Sequence, residues 1–263
     1  MRAQMQPKDA PVLREDREGV ATLTLNRPAQ MNLLTREVLS ALQATFDDLE
    51  KDTSVRVVVL AAAGKGFCAG HDLKEIRALG ELPAVEGLFQ QCSAMMATIP
   101  RLPQPVIAKV QGAAAAAGCQ LVAQCDLAVA ADTAKFVAPG VTWGFFCSTP
   151  GVALGRNLQR KHALEMLLTG EAISAQRAME WGLVNRVVAA GQLDAETEAL
   201  ARVLAAKPPG TVAAGKRAFY QQMEMGLSDA YALAGRVIAA SFTQAEGIAG
   251  MNAFIGKKPP PGP

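Results

Sequence analysis

Apolar positions recur along the chain with two different periods, and the balance between them shifts part-way along. Residues 12–16 and 20–25 read as strands on either side of Arg17-Glu18-Gly19, a short glycine-containing hairpin signal. Thr35 is a capping residue type, and a helix from there to about Lys51 puts Val38, Leu39, Leu42, Phe46 and Leu49 on one face. Residues 55–61 (VRVVVLA) are short, nearly all apolar and β-branched, which suits a parallel strand covered on both faces. Residues 86–99 have helical character. Another brief apolar strand, 106–110, follows the breakers Pro103 and Pro105, and a helix-like stretch at 118–125 leads into a third such strand at 127–131. From about Leu158 strand signals fade and helical periods dominate, at 161–168, 174–181, 192–206, 212–223 and 228–245. Pro208-Pro209 breaks this part, and the terminal KKPPPGP reads as a mobile tail. With no internal repeat of roughly 20 to 50 residues, the pattern predicts an α/β core of stacked strands followed by an all-helical C-terminal third.

Composition narrows the partners. Lys and Arg number 26 against 24 Asp and Glu, so the net charge of +2 gives no reason to expect nucleic acid. Charged residues make up 19% and apolar residues 50% of the 263, a charge deficit that points to surface hidden in an oligomer. The five cysteines form no C-x-x-C, which excludes a zinc knuckle or disulfide framework and suggests a reducing, cytoplasmic compartment. The first ten residues lack an apolar leader region, and Asp9 argues against a transit peptide. No apolar run approaches the roughly 18 to 20 residues of a membrane span.

Most motifs that carry chemistry fail. Gly64-Lys-Gly66-Phe-Cys-Ala-Gly70 misses the dinucleotide fingerprint by one place and has no downstream ribose-binding acid. Gly210 to Lys216 matches P-loop spacing, but Arg217 stands where a magnesium-binding Ser or Thr belongs and no strand precedes it. His71 and His162 are the only histidines, without an H-E-x-x-H, and no metal site is expected. No G-x-S-x-G elbow occurs.

Two glycine- and alanine-rich loops remain, each after a buried strand. The first is residues 62–72 (AAGKGFCAGHD), with Asp72 placed to cap the helix LKEIRAL; the second is residues 111–120 (QGAAAAAGCQ). Small side chains let a ligand approach the backbone, and amides at helix starts carry partial positive charge. Two such loops on neighbouring strands could aim two N–H groups at one oxygen, an oxyanion hole built from main chain. The alternative is that the alanines serve tight helix packing alone.

Over nearly all of its length the sequence resembles the crotonase family of enoyl-CoA hydratases and isomerases. The matching stretches are Asn26-Arg-Pro with Asn32, GKGFCAGHDLKEI, QGAAAAAGCQLVAQCDLAVAA, TPGVALGR and LLTGEAISAQRAMEWGLVNRVV. The resemblance implies a ββα spiral core, here residues 1–200, and a helical C-terminal region over 201–263 that makes a homotrimer or a dimer of trimers. It implies an acyl-CoA thioester as ligand, no bound cofactor or metal, and no nucleic-acid or membrane partner. Carried over position by position, the oxyanion amides are those of His71 and Ala117. Coenzyme A contacts fall at Gln30, Met31, Ala69, Gly70, Asp72, Leu73 and Lys74, with Phe254 and Lys257 reaching the ligand, often a neighbour's. Lys74 and Lys257 could pair with phosphates.

The sequence also departs from the family. Family hydratases use two glutamates to hold and activate the added water; this chain has Gln120 and Gly140 there, and Ser148 where sister enzymes place an aspartate. A positioned general acid or base contributes roughly 10²- to 10⁴-fold, whereas each oxyanion donor retains about 3 to 4 kcal/mol. Gln120 can hydrogen-bond but cannot take a proton near neutrality. The His71 imidazole is open to two readings, an acid/base group or a ring facing solvent or coenzyme A. Cys147 and Ser148 lack a paired base and read as pocket lining, Cys119 and Cys125 as core. Three functions stay open: a hydratase-like lyase, another enolate reaction such as decarboxylation or thioester hydrolysis, or a non-catalytic acyl-CoA binder.

Overall fold

The computed structural model describes residues 9–260. Its main sheet is built from β1 (Val12–Arg17), β2 (Val20–Leu25), β3 (Val57–Ala62) and β4 (Val106–Val110). A two-residue strand, β5 (Ala114–Ala115), lies apart from it, and β6 (Leu127–Ala131) returns to it. β7 (Lys135–Val137) and β8 (Ile173–Ser174) join β5 in a second sheet, and β9 (Arg186–Val188) completes the first. The main sheet runs β1-β2-β3-β4-β6-β9, antiparallel only between β1 and β2; the small sheet runs β5-β7-β8. Cys68 bridges to Ala114 beside the small sheet. Three times, then, the chain leaves a main strand and crosses to the second layer: β3 to Cys68, β4 to β5, and β6 to β7. This is the spiral that the resemblance implies.

Helices fill the spaces between the turns. They are α1 (Arg36–Lys51), α2 (Leu73–Leu79), α3 (Leu82–Thr98), α4 (Ala117–Gln124), α5 (Ser148–Asn157), α6 (Arg160–Thr169) and α7 (Ala175–Trp181). Then come α8 (Leu193–Ala205), α9 (Pro209–Gln222), α10 (Leu227–Thr243) and α11 (Ala245–Ile255). The Thr35 hydroxyl accepts from Val38 N at 3.3 Å, and all five predicted apolar positions of α1 are buried. β3 is covered on both faces, as its unbroken apolar run predicts: Val58 and Leu60 join the larger core, Val57 and Val59 a second core under α8.

Several boundaries differ from the sequence reading. α3 starts at Leu82 because Pro83, lacking an N–H to satisfy, sits in its first turn. β8 and β9 lie beyond Leu158, where strand signals had faded, because strands of two or three residues carry too little periodicity to register. The predicted helix at 228–245 ends at Thr243, and α11 follows a break at Gln244 (φ −85°, ψ 158°). The chain turns so sharply there that a Cβ on Gly247 would lie 1.8 Å from the Ser241 carbonyl. Lys257–Pro260 carry no regular structure, and the last three residues of the predicted tail, like the first eight of the leader region, lie outside the described residues.

A buried ionic latch ties the C-terminal helices to the core. Lys216, inside α9, donates to Ile99 O (3.0 Å), Gln104 O (2.9 Å) and Asp126 Oδ2 (2.6 Å), so all three ammonium protons are used. Asp126 also accepts from Tyr220 OH (2.8 Å) and from Val106 N (2.7 Å) at the start of β4. Burial pushes the Lys216 pKa down against the pull of Asp126. Lys216 is thus a structural cation in mid-helix and no phosphate-binding lysine. Lys216→Ala leaves Asp126 buried without its counter-charge, and we predict a loss of about 3 to 5 kcal/mol. Urea denaturation measures it; an unchanged midpoint would show that the latch contributes nothing.

Candidate active site

The two small-residue loops pack against each other at the ends of β3 and β4. Ala113 O accepts from Phe67 N (3.0 Å) and Cys68 N (3.2 Å), and Ala115 N donates to Cys68 O (2.8 Å). Two residues on from Cys68, Gly70 is in the left-handed region at φ +90°. A Cβ there would stand 3.0 Å from Ala115 O, 3.1 Å from Ala116 Cβ and 3.2 Å from Ala117 N. The first loop therefore rests on the start of α4 through a bare backbone.

A trans peptide points its carbonyl and its N–H in opposite directions. The Gly70 carbonyl accepts from Leu34 N at 2.8 Å, which turns the next N–H, that of His71, away from Leu34. The Ala116 carbonyl accepts from Gln120 N at 3.0 Å along the helix, which turns the Ala117 N–H out of the start of α4. Neither the His71 nor the Ala117 N–H has an acceptor among the described residues. Ala116 reaches this geometry at φ 49°, ψ −117°, a conformation L residues avoid, and is held in it by its N–H bond to Val137 O (2.8 Å). Two free donors on adjacent backbones, one at a helix start, are equipped to bind a developing negative charge.

The side chains around them are short of acids. Gln120, in the first turns of α4, is 4% exposed, and its Oε1 is buried without a hydrogen-bond partner. Gly140 is buried in a 3-10 turn over Pro139–Trp143, where its N–H donates to Cys147 Sγ at 3.3 Å. A Cβ at Gly140 would meet Phe145 O at 2.5 Å and Cys147 Sγ at 2.8 Å, so the space for a glutamate is already filled. Cys147 is buried, which raises its thiol pKa and makes it a poor nucleophile. Burial likewise pushes the Cys119 thiol up to about 12. Ser148 is exposed at the start of α5 and reaches only Phe146 O, at 3.4 Å.

The His71 imidazole does not face solvent. Its Nδ1 lies 3.1 Å from the Leu34 carbonyl, which can only accept, so Nδ1 carries the proton. Burial lowers its pKa and favours the neutral ring, leaving Nε2 as a buried, unpartnered acceptor beside the edge of Phe89 (centroids 5.1 Å apart). Of the expected coenzyme A set, Met31, Ala69 and Gly70 come together: Ala69 N donates to Met31 O at 3.0 Å, with Gln30 on the exposed turn just before. Asp72 accepts from Lys74 N at 2.8 Å and caps α2, on which Leu73 and Lys74 are exposed. Phe254, 86% exposed, and Lys257 lie at the far end of the chain, on and just after α11, which packs on α9 and α10. Sequence reasoning passed over Leu34 and Gln111, because a backbone donor and a lone amide carry no motif. Among the described residues no group of three His, Cys, Asp or Glu side chains could hold a metal.

Comparison with known proteins identifies the family and the fold. The enoyl-CoA hydratase/isomerase family model matches residues 15–261. Mitochondrial enoyl-CoA hydratase domain-containing protein 3 of Xenopus laevis is 43% identical over 94% of this chain and 84% of its own length. A putative enoyl-CoA hydratase of Thermus thermophilus is 35% identical, covering 92% and 96%. Among solved structures, an enoyl-CoA hydratase of Mycobacterium smegmatis is 52% identical with a TM-score of 0.94, covering 95% of this chain and 98% of that one. Human enoyl-CoA hydratase domain-containing protein 3 is 41% identical with a TM-score of 0.92, covering 95% and 99%.

Gly70→Ala tests the junction. The added methyl meets Ala115–Ala117 and must adopt a positive φ, which costs about 1 to 3 kcal/mol. Thermal denaturation should show this loss; an unchanged melting temperature would mean that the two loops are not pressed together at Gly70.

Proposed function

Since the chain belongs to the enoyl-CoA hydratase/isomerase family, we propose that it binds an acyl-CoA thioester and stabilises the thioester enolate with the N–H groups of His71 and Ala117. The observation that carries this reading is that both N–H groups lack an acceptor while Gly70, next to His71, packs against the backbone of Ala115–Ala117. As negative charge builds on the thioester oxygen, the donors strengthen their hold on it, and each is worth about 3 to 4 kcal/mol in the transition state. The coenzyme A moiety runs along Gln30, Met31 and Ala69 to Lys74, and its adenine end lies within reach of Phe254 and Lys257 of a neighbouring copy.

Hydration is the family-level activity, and here it is slow. Water addition by the glutamate pair needs one carboxylate where Gln120 stands and another where Gly140 stands. Losing two acid/base groups, each worth roughly 10²- to 10⁴-fold though not cleanly additive, removes the water-activating step while the amides still hold the thioester oxygen. The filled space at Gly140 favours a second reading, chemistry at the same pair of amides that needs no carboxylate pair and runs through either an enolate or a tetrahedral oxyanion. In decarboxylation the C–C bond electrons pass into the thioester as carbon dioxide leaves, and the resulting enolate then takes a proton from water. In thioester hydrolysis water adds to the carbonyl carbon and coenzyme A leaves as the thiol. Gln120 and the neutral His71 ring supply hydrogen bonds and no fixed charge. The five free thiols support a reducing compartment such as the cytoplasm. No helix among the described residues is long and apolar enough to cross a membrane.

A panel of crotonyl-, malonyl- and butyryl-CoA separates these reactions by product. We expect weak hydration of crotonyl-CoA, rising at least about 10-fold in Gln120→Glu. No rise in a folded Gln120→Glu variant would count against this placement of the active site. Turnover of no thioester despite tight binding would leave a binding protein, and absence of binding would end the reading. Gly140→Glu, by contrast, should disrupt the 139–147 turn and rescue nothing.

Self-association into a trimer or a dimer of trimers is part of the same reading. It is supported by apolar side chains left exposed on α9 to α11, among them Phe219, Tyr231, Ile238, Phe242 and Phe254. Sedimentation should find a trimer or hexamer that Ile238→Asp weakens; a monomer at micromolar concentration would refute the assembly.

A further inference from the structure

The loop that delivers the His71 amide has no regular structure between β3 and Cys68, yet five carbonyls of residues 62–67 lie within hydrogen-bond distance of just two side-chain amides and share their four N–H bonds. Asn32 Nδ2 donates to Ala63 O (2.9 Å), Gly66 O (3.1 Å) and Phe67 O (3.1 Å). Gln111 Nε2 donates to Ala62 O (2.9 Å), Gly64 O (3.2 Å) and Gly66 O (2.9 Å). Gly66 O alone accepts from both, so its carbonyl is gripped from two sides.

The backbone that carries each amide is fixed, although Gln111 Oε1 itself is buried without a partner. Asn32 is 1% exposed and sits at φ 53°, a conformation asparagine tolerates better than most residues, and its Oδ1 accepts from Arg27 N at 2.9 Å. Gln111 follows β4 directly, and the next residue, Gly112, lies so close to the loop that a Cβ would stand 2.0 Å from Lys65 O. Gln111 belongs to the strand that leads to Ala117, and Gly66 to the loop that leads to His71. Their hydrogen bond opens the ladder that Phe67, Cys68, Ala113 and Ala115 continue.

We propose that Asn32 and Gln111 are positioning residues that, by holding the Gly66 carbonyl between them, set the spacing of the two amides that face the thioester oxygen. The proposal rests on the oxyanion reading of His71 and Ala117. Neither side chain touches the ligand. Each acts through the backbone, where a misplacement of about 1 Å can cost roughly 10²-fold in rate.

The test reads the carbonyl directly, by isotope-edited infrared difference spectroscopy of carbonyl-labelled butyryl-CoA bound to the full-length protein. In the wild type the C=O band should shift to lower frequency on binding. In Gln111→Ala, at a half-buried strand end, the shift should shrink by about half or more while the Kd changes less than about threefold. Turnover of whichever thioester the panel identifies should fall roughly 10- to 100-fold in kcat with KM nearly unchanged. Asn32→Ala should act in the same direction and more strongly; where it fails to fold, Gln111→Ala carries the test. A full shift in folded Gln111→Ala, even with a lowered melting temperature, would mean that the amide only stabilises the loop and would overturn the proposal. Absence of any shift in the wild type would instead refute the oxyanion reading itself.

Discussion

The planarity of the peptide bond is what this site is made from. A free N–H is a weak device unless something fixes its direction, and here the fixing is done through the opposite end of the same peptide. Leu34 N holds the Gly70 carbonyl and Gln120 N holds the Ala116 carbonyl, so both outward N–H groups are aimed by bonds that lie behind them. Both aiming bonds run from main chain to main chain. A donor oriented in advance pays no reorganisation cost when charge develops, which is the physical content of electrostatic preorganisation. The parallel spiral brings these two peptides, some 46 residues apart in sequence, into the loops that follow neighbouring strands β3 and β4.

Much of this arrangement was legible in the residues. The β-branched run before Gly64 and the apolar run before Gln111 announced buried parallel strands, and α1 was readable from Thr35 and its apolar face, because each is long enough for its period to show. The small-residue loops marked where backbone meets backbone. What was not legible has physical reasons too. β8 and β9 are held by register with neighbours already in place, and nothing in two or three residues encodes that. The break between α10 and α11 depends on how closely Gly247 approaches Ser241, a tertiary fact. The direction in which the His71 ring points depends on Leu34 and Phe89, which lie far from it in sequence.

Three side chains of the candidate site carry no charge near neutral pH: the Gln120 amide, the His71 imidazole with its Nδ1 proton committed to a carbonyl, and the Cys147 thiol, whose ionisation burial opposes. The Asp72 carboxylate next to His71 is turned to capping α2. On the proposed reading such a site suits reactions in which charge is created on the substrate and dissipated by departure of a fragment, more than those that shuttle protons between paired carboxylates.

The latch in α9 has a bearing on how the chain is made. Asp126 and Lys216 are 90 positions apart, so during synthesis the acid emerges from the ribosome long before the base. Of the acid's three partners, only the Val106 N–H precedes it in the chain. The spiral can therefore collapse early through its local strand pairings, but its floor closes only when the last quarter of the chain folds back, a long-range step that is slow relative to local contacts. A product truncated before α9 would lack the counter-charge of Asp126 and its Tyr220 hydrogen bond.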